Sequence, residues 1–368
     1  MCIIAGYSGN KRAAPIIIEM LKKTEYFDGG LSTGIATIHE GKLYTAKVIG
    51  DVDTLLRETD AINFPGTTGI IHSRTGGNLV SHAHPFTSED GELALVLNGT
   101  TRGGGSDEYY AAKNKIMNDF LDRGFEIKSA FVPPKDLPKP VKRVLKNGLS
   151  YHDTEPYALM IGDAVSNSPA ETIKRDIAKA TRDTLSTLPI DIITLCVHAR
   201  LPDTITIGTI TRPMSIGFGD GETYLATCAI AFPEEIQKRP VMFLPPTTTA
   251  QVTPNGLEVF STTLDGVRVE QPNYRIAKRI RSDMEKILAG GRENPVSIYD
   301  FPASTDWLDV WHEPLVDSKY VREGSFLKPT GPISYEGLWS FHKEGRLHSV
   351  LGEKADNPGV KITKFWIE

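Results

Sequence analysis

The chain has 368 residues, of which 40% are hydrophobic and 24% are charged, and its formal net charge is −5. This length allows a large core, and we expect one large domain and a smaller one. The charge gives no indication of a nucleic-acid partner, and no apolar stretch approaches the ~20 residues of a membrane span. Three cysteines argue against a disulfide framework and fit a reducing compartment. Because the N-terminus also lacks a secretory signal, we expect a cytoplasmic protein.

The first half of the chain alternates short β-rich runs with segments of helical spacing. The predicted strands are Cys2–Tyr7, Ser32–Ile38, Lys42–Ile49, Gly69–His72 and Leu93–Leu97. The predicted helices are Ala13–Lys23, Asp107–Arg123 and Pro169–Leu185, the last of them after an N-cap at Ser168. The Pro/Lys-rich run that begins at Pro133 is interpreted as an exposed insertion.

A second strand-rich block follows the third helix. Its predicted strands are Ile190–His198, Ile205–Ile210, Met214–Phe218, Thr223–Phe232, Val241–Phe243 and Val252–Phe260. The last run is interrupted by Asn255-Gly256, which is typical of a hairpin turn. Cys196 and Cys228 lie within apolar runs and are interpreted as core residues. Strands, helices and more strands indicate an α+β fold in which sheets pack together with helices outside.

The composition changes near Pro272. All four tryptophans follow residue 300, which argues for a separate small core. A helix-period stripe of Ile276, Ile280, Met284 and Ile287 also begins here, on a basic segment. We therefore divide the chain into a domain of residues 2–271 and an accessory C-terminal module of residues 272–368.

The end of the C-terminal module predicts a helix followed by two strands. The helix covers Tyr335–Glu344 with Ser334 as its N-cap, and the strands cover Leu347–Leu351 and Val360–Ile367. This order is compatible with a winged-helix module. Its basic and acidic residues balance, whereas phosphate binding needs a basic face, so contact with protein is favoured over contact with DNA.

Cys2 carries the most informative chemistry in the sequence. If Met1 is removed, one residue bears both a thiol and a terminal α-amine. The α-amine titrates near pH 7.7–8.0 and a thiol at about 8.5, so proton transfer between them costs little at neutral pH. A thiolate with a base within reach is suited to covalent amide chemistry. Taken by itself, Cys2 is more typical of an inert, buried thiol, and the other segments of the sequence change that interpretation.

Six segments, taken in order, resemble a known family. They are Cys2–Tyr7, Tyr26–Ala36, Gly69–Gly77 with Ala83–Pro85, Leu95–Thr100, His152–Glu155 and Arg212–Gly217. Together they resemble the glutaminase domain of the class II glutamine amidotransferases, which are N-terminal nucleophile hydrolases. The domain of glucosamine-6-phosphate synthase has the most similar pattern. The resemblance implies a four-layer αββα sandwich.

The resemblance also implies roles for particular residues. Cys2 would attack the side-chain amide of glutamine, form a thioester and release ammonia, after which water would release glutamate. The Asn98 side chain and the Gly99 N–H would form the oxyanion hole, where losing one donor typically costs on the order of 10²–10³ in rate. Arg74 would bind the substrate α-carboxylate through its bidentate fork, and Asp153 would pair with the α-ammonium.

The sequence departs from the family pattern directly after Arg74. Thr75 and Gly76 belong to the predicted substrate site, but the family usually has Trp-Ala-Thr-His-Gly here and this chain has Thr75-Gly76-Gly77-Asn78. The aromatic lid and the threonine that supports the carboxylate are therefore missing. The nucleophile and the oxyanion hole are unaffected, but the identity of the amide stays open.

Two other functions stay open at this point. One is an amidohydrolase that uses the same nucleophile on another amide, and the other is a non-catalytic regulator that binds an amino acid. Taken singly, Arg74 is also typical of a strand end, Asn98-Gly99 of a turn and Asp153 of a helix or strand cap.

Neither a metal nor another cofactor is expected. His72 and His84 resemble the beginning of a metal site, but no third ligand follows at metal-like spacing. The residues after the glutaminase segment are too few for the sugar-phosphate isomerase domains of the synthase. We therefore expect the ammonia acceptor on another polypeptide, such as a separate synthase subunit. No membrane or nucleic-acid partner is expected, and a homo-oligomer is compatible with the sequence.

Overall fold

The computed structural model describes residues 2–74, 78–99, 106–134, 141–190, 192–210, 212, 214–227, 231–237, 241–244, 247–261 and 264, together with five C-terminal strands. We call the residues up to 264 the main body. Within the described residues, no helix combines the length and the apolar character needed to cross a bilayer.

The main body consists of short strands and six α-helices within its described ranges. The strands are β1 (Ile3–Ser8), β2 (Ser32–His39), β3 (Lys42–Val48), β4 (Thr68–Arg74), β5 (Phe86–Thr87), β6 (Leu93–Gly99), β7 (Ile192–His198), β8 (Ile205–Thr209), β9 (Ser215–Gly219), β10 (Glu222–Ala226), β11 (Val241–Phe243), β12 (Thr249–Thr253) and β13 (Gly256–Ser261). The helices are α1 (Ala13–Asp28), α2 (Val52–Glu58), α3 (Asp107–Asp122), α4 (Glu155–Val165), α5 (Ile173–Thr187) and α6 (Glu234–Gln237).

These strands form two antiparallel sheets. Among the described residues, the first sheet has seven strands in the order β11-β9-β10-β1-β4-β2-β3, and the second has six in the order β13-β12-β8-β7-β6-β5. Apolar side chains from both sheets meet between them, including Ile4 and Ile70 from the first and Val96, Leu195 and Ile207 from the second. This shared layer is the central core.

Helices cover the outer face of each sheet. Helix α1 packs on β1 and β4, whereas α4 and α5 pack on the second sheet. Tyr157 of α4 and Ile177 of α5 are buried with Leu95 and Cys196 of the sheet beneath them. The order of layers is therefore αββα, as the family resemblance implied. Because both faces of the sheet are covered at the central strand β1, that strand is buried along its whole length and its sequence does not alternate between apolar and polar residues.

Three helices, α2, α4 and the four-residue α6, were not anticipated, and one helix starts later than expected. Helix α4 is buried on most of its surface, so its sequence has no polar stripe to reveal a helical period. Helix α2 has only seven residues. Helix α5 begins at Ile173 rather than Pro169, because the Pro169 carbonyl accepts from the Thr172 and Ile173 N–H groups in a preceding turn. The N-cap position is consequently Thr172 and not Ser168.

Several strand and hairpin predictions are confirmed. Strands β2 and β3 pair as the first hairpin, and β12 and β13 pair around Asn255-Gly256. The predicted strand Thr223–Phe232 is shorter in the structure and ends at Ala226. Cys196 is a buried core residue as expected, and its burial raises the pKa of the thiol to about 12. Cys228 lies outside the described residues.

The C-terminal strands form a separate antiparallel sheet. They are β14 (Tyr320–Glu323), β15 (Phe326–Pro329), β16 (Ile333–Ser334), β17 (Leu347–Lys354) and β18 (Gly359–Ile367). The β17–β18 hairpin confirms the predicted pair of strands, but it is part of a five-stranded sheet among the described strands rather than a two-stranded wing.

One further prediction for the C-terminal module is wrong, and the predicted helices of this module lie outside the described residues. Ser334 lies in β16 and pairs with Gly359, so it is not a helix N-cap. The predicted helix Tyr335–Glu344 and the helix-period stripe that begins at Ile276 lie outside the described residues. The domain boundary at 271 stays a prediction.

Candidate active site

The ends of three strands bring the predicted catalytic residues together. Strand β1 pairs with β4 so that Ile3 lies opposite Ser73. The preceding residue, Cys2, therefore lies at the same end of the sheet as Arg74. Asn98 and Gly99 end β6 in the other sheet. The site consequently lies where the ends of the two sheets meet.

A hydrogen bond between the sheets joins Cys2 to Asn98. The backbone nitrogen of Cys2 donates to Asn98 Oδ1 at 3.1 Å. Cys2 is half-buried and Asn98 is buried. Because the carbonyl oxygen of the carboxamide accepts from Cys2, its NH₂ group is directed to the opposite side and retains its donors for another acceptor.

Arg74 is held by two groups of the loop segments around it. Its Nη1 donates to the His82 carbonyl at 2.8 Å and lies 2.7 Å from Nε2 of His152. Arg74 is half-buried, whereas His152 is buried. Burial, with Arg74 and Arg143 adding repulsion, holds the pKa of His152 well below its usual range. The ring therefore stays neutral, and its other nitrogen, Nδ1, lies 3.2 Å from the backbone nitrogen of Thr154.

Asp153 is a buried carboxylate between two cations. Its Oδ1 accepts from Lys113 Nζ at 3.0 Å, and its Oδ2 lies 2.8 Å from Arg143 Nη1. The Lys113 side chain is fully buried, while that of Arg143 is 24% exposed. Burial lowers the pKa of Lys113 and the charge of Asp153 opposes that effect. The residue expected to bind the substrate ammonium is thus already an ion-pair partner of two side chains of the protein.

A chain of hydrogen bonds connects the segment that contains Asp153 to β6, the strand that carries Asn98. Thr154 Oγ1 lies 2.8 Å from His84 Nε2, and His84 Nδ1 lies 3.1 Å from His72 Nδ1. His72 Nε2 then lies 3.2 Å from the carbonyl oxygen of Leu97, which precedes Asn98. Burial holds the pKa of His72 and of His84 well below the usual range, so both rings are neutral.

Neutrality determines which nitrogen of each ring carries a proton. A carbonyl oxygen only accepts, so His72 Nε2 must donate to Leu97 and His72 Nδ1 must accept. His84 Nδ1 is therefore the donor to His72, and His84 Nε2 accepts from the Thr154 hydroxyl. We call Thr154, His84, His72 and the Leu97 carbonyl the histidine relay. Every hydrogen bond in it points toward the strand that carries Asn98.

Glu25 accepts a hydrogen bond from Ser73, the residue that precedes Arg74. The sequence analysis missed Glu25. Its buried carboxylate accepts from Ser73 Oγ at 2.5 Å and from the Val52 N–H, with its two oxygens 3.1 and 3.0 Å from that nitrogen. Ser73 Oγ in turn accepts from the Gly30 N–H at 2.8 Å. Burial raises the pKa of Glu25, and these donors oppose that effect. The network holds the residue that precedes Arg74.

Gly34 explains why a glycine stands in the second family-like segment. A Cβ at this position would lie 2.0 Å from the backbone oxygen of His84 and 2.7 Å from that of Ala46. Only a residue without a side chain allows the His84 segment to approach β2 so closely. The position of the histidine relay therefore depends on it.

Thr75 and Gly76, which were predicted to belong to the substrate site, lie outside the described residues. Among the described residues, no group of three or more metal-binding side chains occurs, and His72 and His84 contact each other instead. Lys113 and Arg143 were also missed by the sequence analysis. For Lys113 a signal existed, because it lies at helical spacing on the buried stripe of Tyr110, Met117 and Phe120.

The known proteins with similar sequences that are described below are enzymes of one type. No family model matches the chain. The chain is 27% identical over 353 residues to the glutamine–fructose-6-phosphate aminotransferase (isomerizing) of Chlamydia abortus, covering 94% of this chain and 48% of that protein. The corresponding enzyme of Methanosarcina mazei is 29% identical over 266 residues, covering 71% of this chain and 37% of that protein. The chain thus spans less than half the length of these relatives.

A solved structure supports the fold. The glutamine phosphoribosylpyrophosphate amidotransferase from B. subtilis matches with a TM-score of 0.51 at 18% identity, over 80% of this chain and 59% of that one. The fold similarity and the sequence similarity thus both point to glutamine-dependent enzymes. The main body therefore has the fold of this amidotransferase, which is the N-terminal nucleophile hydrolase fold, and its sequence is similar to those of the glutamine–fructose-6-phosphate aminotransferases.

Proposed function

We propose that this chain hydrolyses the side-chain amide of glutamine to glutamate and ammonia, with Cys2 as the nucleophile after removal of Met1. The observation that supports it most strongly is the hydrogen bond from the Cys2 nitrogen to Asn98 Oδ1, at 3.1 Å. It holds the future α-amine beside the thiol of the same residue and leaves the Asn98 NH₂ group to serve the reaction.

In the proposed reaction, the α-amine of Cys2 takes the thiol proton and the thiolate attacks the amide carbon. The C–S bond forms, and the carbonyl electrons move to the oxygen, which the Asn98 NH₂ group and the Gly99 N–H stabilise. The oxyanion then collapses, the C–N bond breaks and the leaving nitrogen takes the proton from the α-ammonium. Water attacks the resulting thioester, with the α-amine as base, and releases glutamate and the thiol.

Two charged residues are proposed to hold the ends of the substrate. Arg74 lies beside Cys2 at the end of the first sheet and presents a planar fork suited to the α-carboxylate. Asp153 would bind the α-ammonium, since a carboxylate has about four lone-pair sites and the two resident cations occupy only part of them. Thr75 and Gly76 are proposed to complete the substrate site.

The ammonia is proposed to pass to an acceptor domain or subunit. The similar proteins are a glutamine–fructose-6-phosphate aminotransferase and a glutamine phosphoribosylpyrophosphate amidotransferase. Neither acceptor is assigned to this chain. The C-terminal sheet is proposed to be an accessory module that contacts protein, either the main body or a partner.

The test is ammonia release from glutamine by purified protein whose intact mass demonstrates loss of Met1. Cys2→Ala should abolish release, because the thioester cannot form. Cys196→Ala is the matched control, since that buried thiol lies in the core and should be dispensable for catalysis. Undiminished release by Cys2→Ala would refute the proposal. Thermal stabilisation by glutamine with no ammonia would also contradict it, and would indicate a binding protein.

A further inference from the structure

The ammonium of Lys113 lies in a cage formed by a carboxylate and two aromatic rings. Its Nζ donates to Asp153 Oδ1 at 3.0 Å and to the Tyr109 hydroxyl at 3.2 Å. It also lies 5.2 Å from the ring centre of Tyr109 and 5.4 Å from that of Tyr157. A carboxylate with aromatic faces is the environment that binds an ammonium ligand. In this protein a side chain of α3 occupies it.

The cage is rigid and adds no further negative charge. The Tyr109 and Tyr157 hydroxyls lie 3.0 Å apart, and Tyr157 donates to the Leu188 carbonyl at 2.8 Å. Burial raises the pKa of both tyrosines, so their hydroxyls stay protonated at neutral pH. Asp153 is therefore the negative charge that Lys113 faces in the cage.

The charges around Asp153 are predominantly positive. Arg143 lies on its second oxygen at 2.8 Å, and Arg74 contacts His152, the residue before it, at 2.7 Å. Among these described groups, two cations contact the Asp153 carboxylate and a third contacts the residue before it. The neutral histidines nearby add no negative charge. A substrate ammonium placed here would meet resident cations, whereas a substrate carboxylate would be attracted by them.

We propose that this site accepts γ-carboxamides that lack a free α-ammonium group about as readily as glutamine itself. The representative compound is glutaramate, which is glutamine without its α-amino group and carries one carboxylate. In the proposed function the ammonium of glutamine must share Asp153 with Lys113 and Arg143, so it contributes little to binding. The inference rests on the proposed amide hydrolysis and specifies its substrate class.

The experiment compares ammonia release from glutamine and from glutaramate. For the unaltered protein, the two kcat/KM values should agree within about tenfold, which is roughly the worth of one net hydrogen bond. A larger preference for glutamine overturns the inference and leaves the proposed function intact. Absence of ammonia from both amides overturns the proposed function, and this inference falls with it.

Variants of Lys113 and Arg143 test whether these two cations are the reason that the substrate ammonium contributes little to binding. Lys113→Met removes the ammonium from the cage, and Arg143→Gln removes the second cation from a partly exposed position where folding is less affected. Each should shift the glutamine-to-glutaramate ratio toward glutamine, through KM rather than kcat. Lys142→Met, at an exposed neighbour paired with Asp107, is the control and should leave the ratio unchanged. An unchanged ratio in both Lys113→Met and Arg143→Gln would overturn the inference.

Discussion

The Cys2 backbone nitrogen and Asn98 Oδ1 form a hydrogen bond of 3.1 Å between residues that belong to different sheets. The contact holds Cys2, the proposed nucleophile, against the strand that carries Asn98. It also fixes the orientation of the Asn98 amide, because one end accepts from Cys2 and the other retains its hydrogen-bond donors. The packing of one sheet against the other therefore brings the two proposed catalytic residues together.

Replacing Asn98 tests its role as an oxyanion donor. Asn98→Ala should reduce kcat by on the order of 10²–10³, with a smaller effect on KM, since the donor acts mainly in the transition state. Asn98→Asp keeps an oxygen that can accept from the Cys2 nitrogen but replaces the NH₂ donor with a second acceptor. It should therefore be as impaired as the alanine variant. Steady-state ammonia release is the measurement, and normal turnover by Asn98→Asp would show that the donor is not needed.

The proton positions in the histidine relay can be observed directly. We expect nitrogen-15 spectra to show His84 protonated at Nδ1 and His72 at Nε2. Thr154→Val removes the donor to His84 Nε2 and should destabilise the protein by about 1–3 kcal/mol, because a buried acceptor loses its partner. Thr154→Ser keeps the hydroxyl and is the control. Finding the opposite ring tautomers in the unaltered protein would contradict the assigned direction.

Stability should fall as the pH decreases below about 6.5. Burial lowers the pKa of His72, His84 and His152 in the folded protein, whereas in the unfolded chain each titrates at about 6.5. Below that pH the unfolded state binds more protons, so protonation favours unfolding. Each ring can contribute up to about 1.4 kcal/mol per pH unit in this window. Urea unfolding between pH 7.5 and 5.5 measures the slope.

A histidine variant separates this effect from other titrations. His84→Gln removes one of the three buried rings and should flatten the dependence of stability on pH. His39→Gln changes an exposed histidine that lies outside the relay, and should leave the slope as it is. If His84→Gln and the unaltered protein have the same slope, the buried rings do not cause it.

Glu25 should matter for stability because its buried carboxylate accepts several hydrogen bonds. Glu25→Gln places an NH₂ group among donors that now share a carboxylate, so at least one buried group loses its partner. We expect a loss of about 1–3 kcal/mol in the free energy of unfolding. Glu19→Gln is the matched control, because Glu19 lies in the same helix and is exposed. Equal stability of the two variants would show that the Glu25 network is dispensable.

The local sequence pattern predicted most of the strands and offered Cys2 as a candidate nucleophile. The β2–β3 and β12–β13 hairpins follow from alternation and turn residues, which act over a few positions. Helix α4 was missed for a physical reason, since a helix buried on several sides loses the polar face on which helical periodicity depends. Glu25 was missed because its partners come from β4 and from the start of α2, far away in the chain.

The sequence by itself determined the candidate chemistry: a thiol at position 2, an amide at 98, a guanidinium at 74 and a carboxylate at 153. Only the tertiary structure decided what surrounds those groups. Lys113 and Arg143 converge on Asp153 from helix α3 and from a loop, and such a meeting depends on folding rather than on any local pattern. Charges acquire their effect from distance and burial, and both are properties of the folded chain.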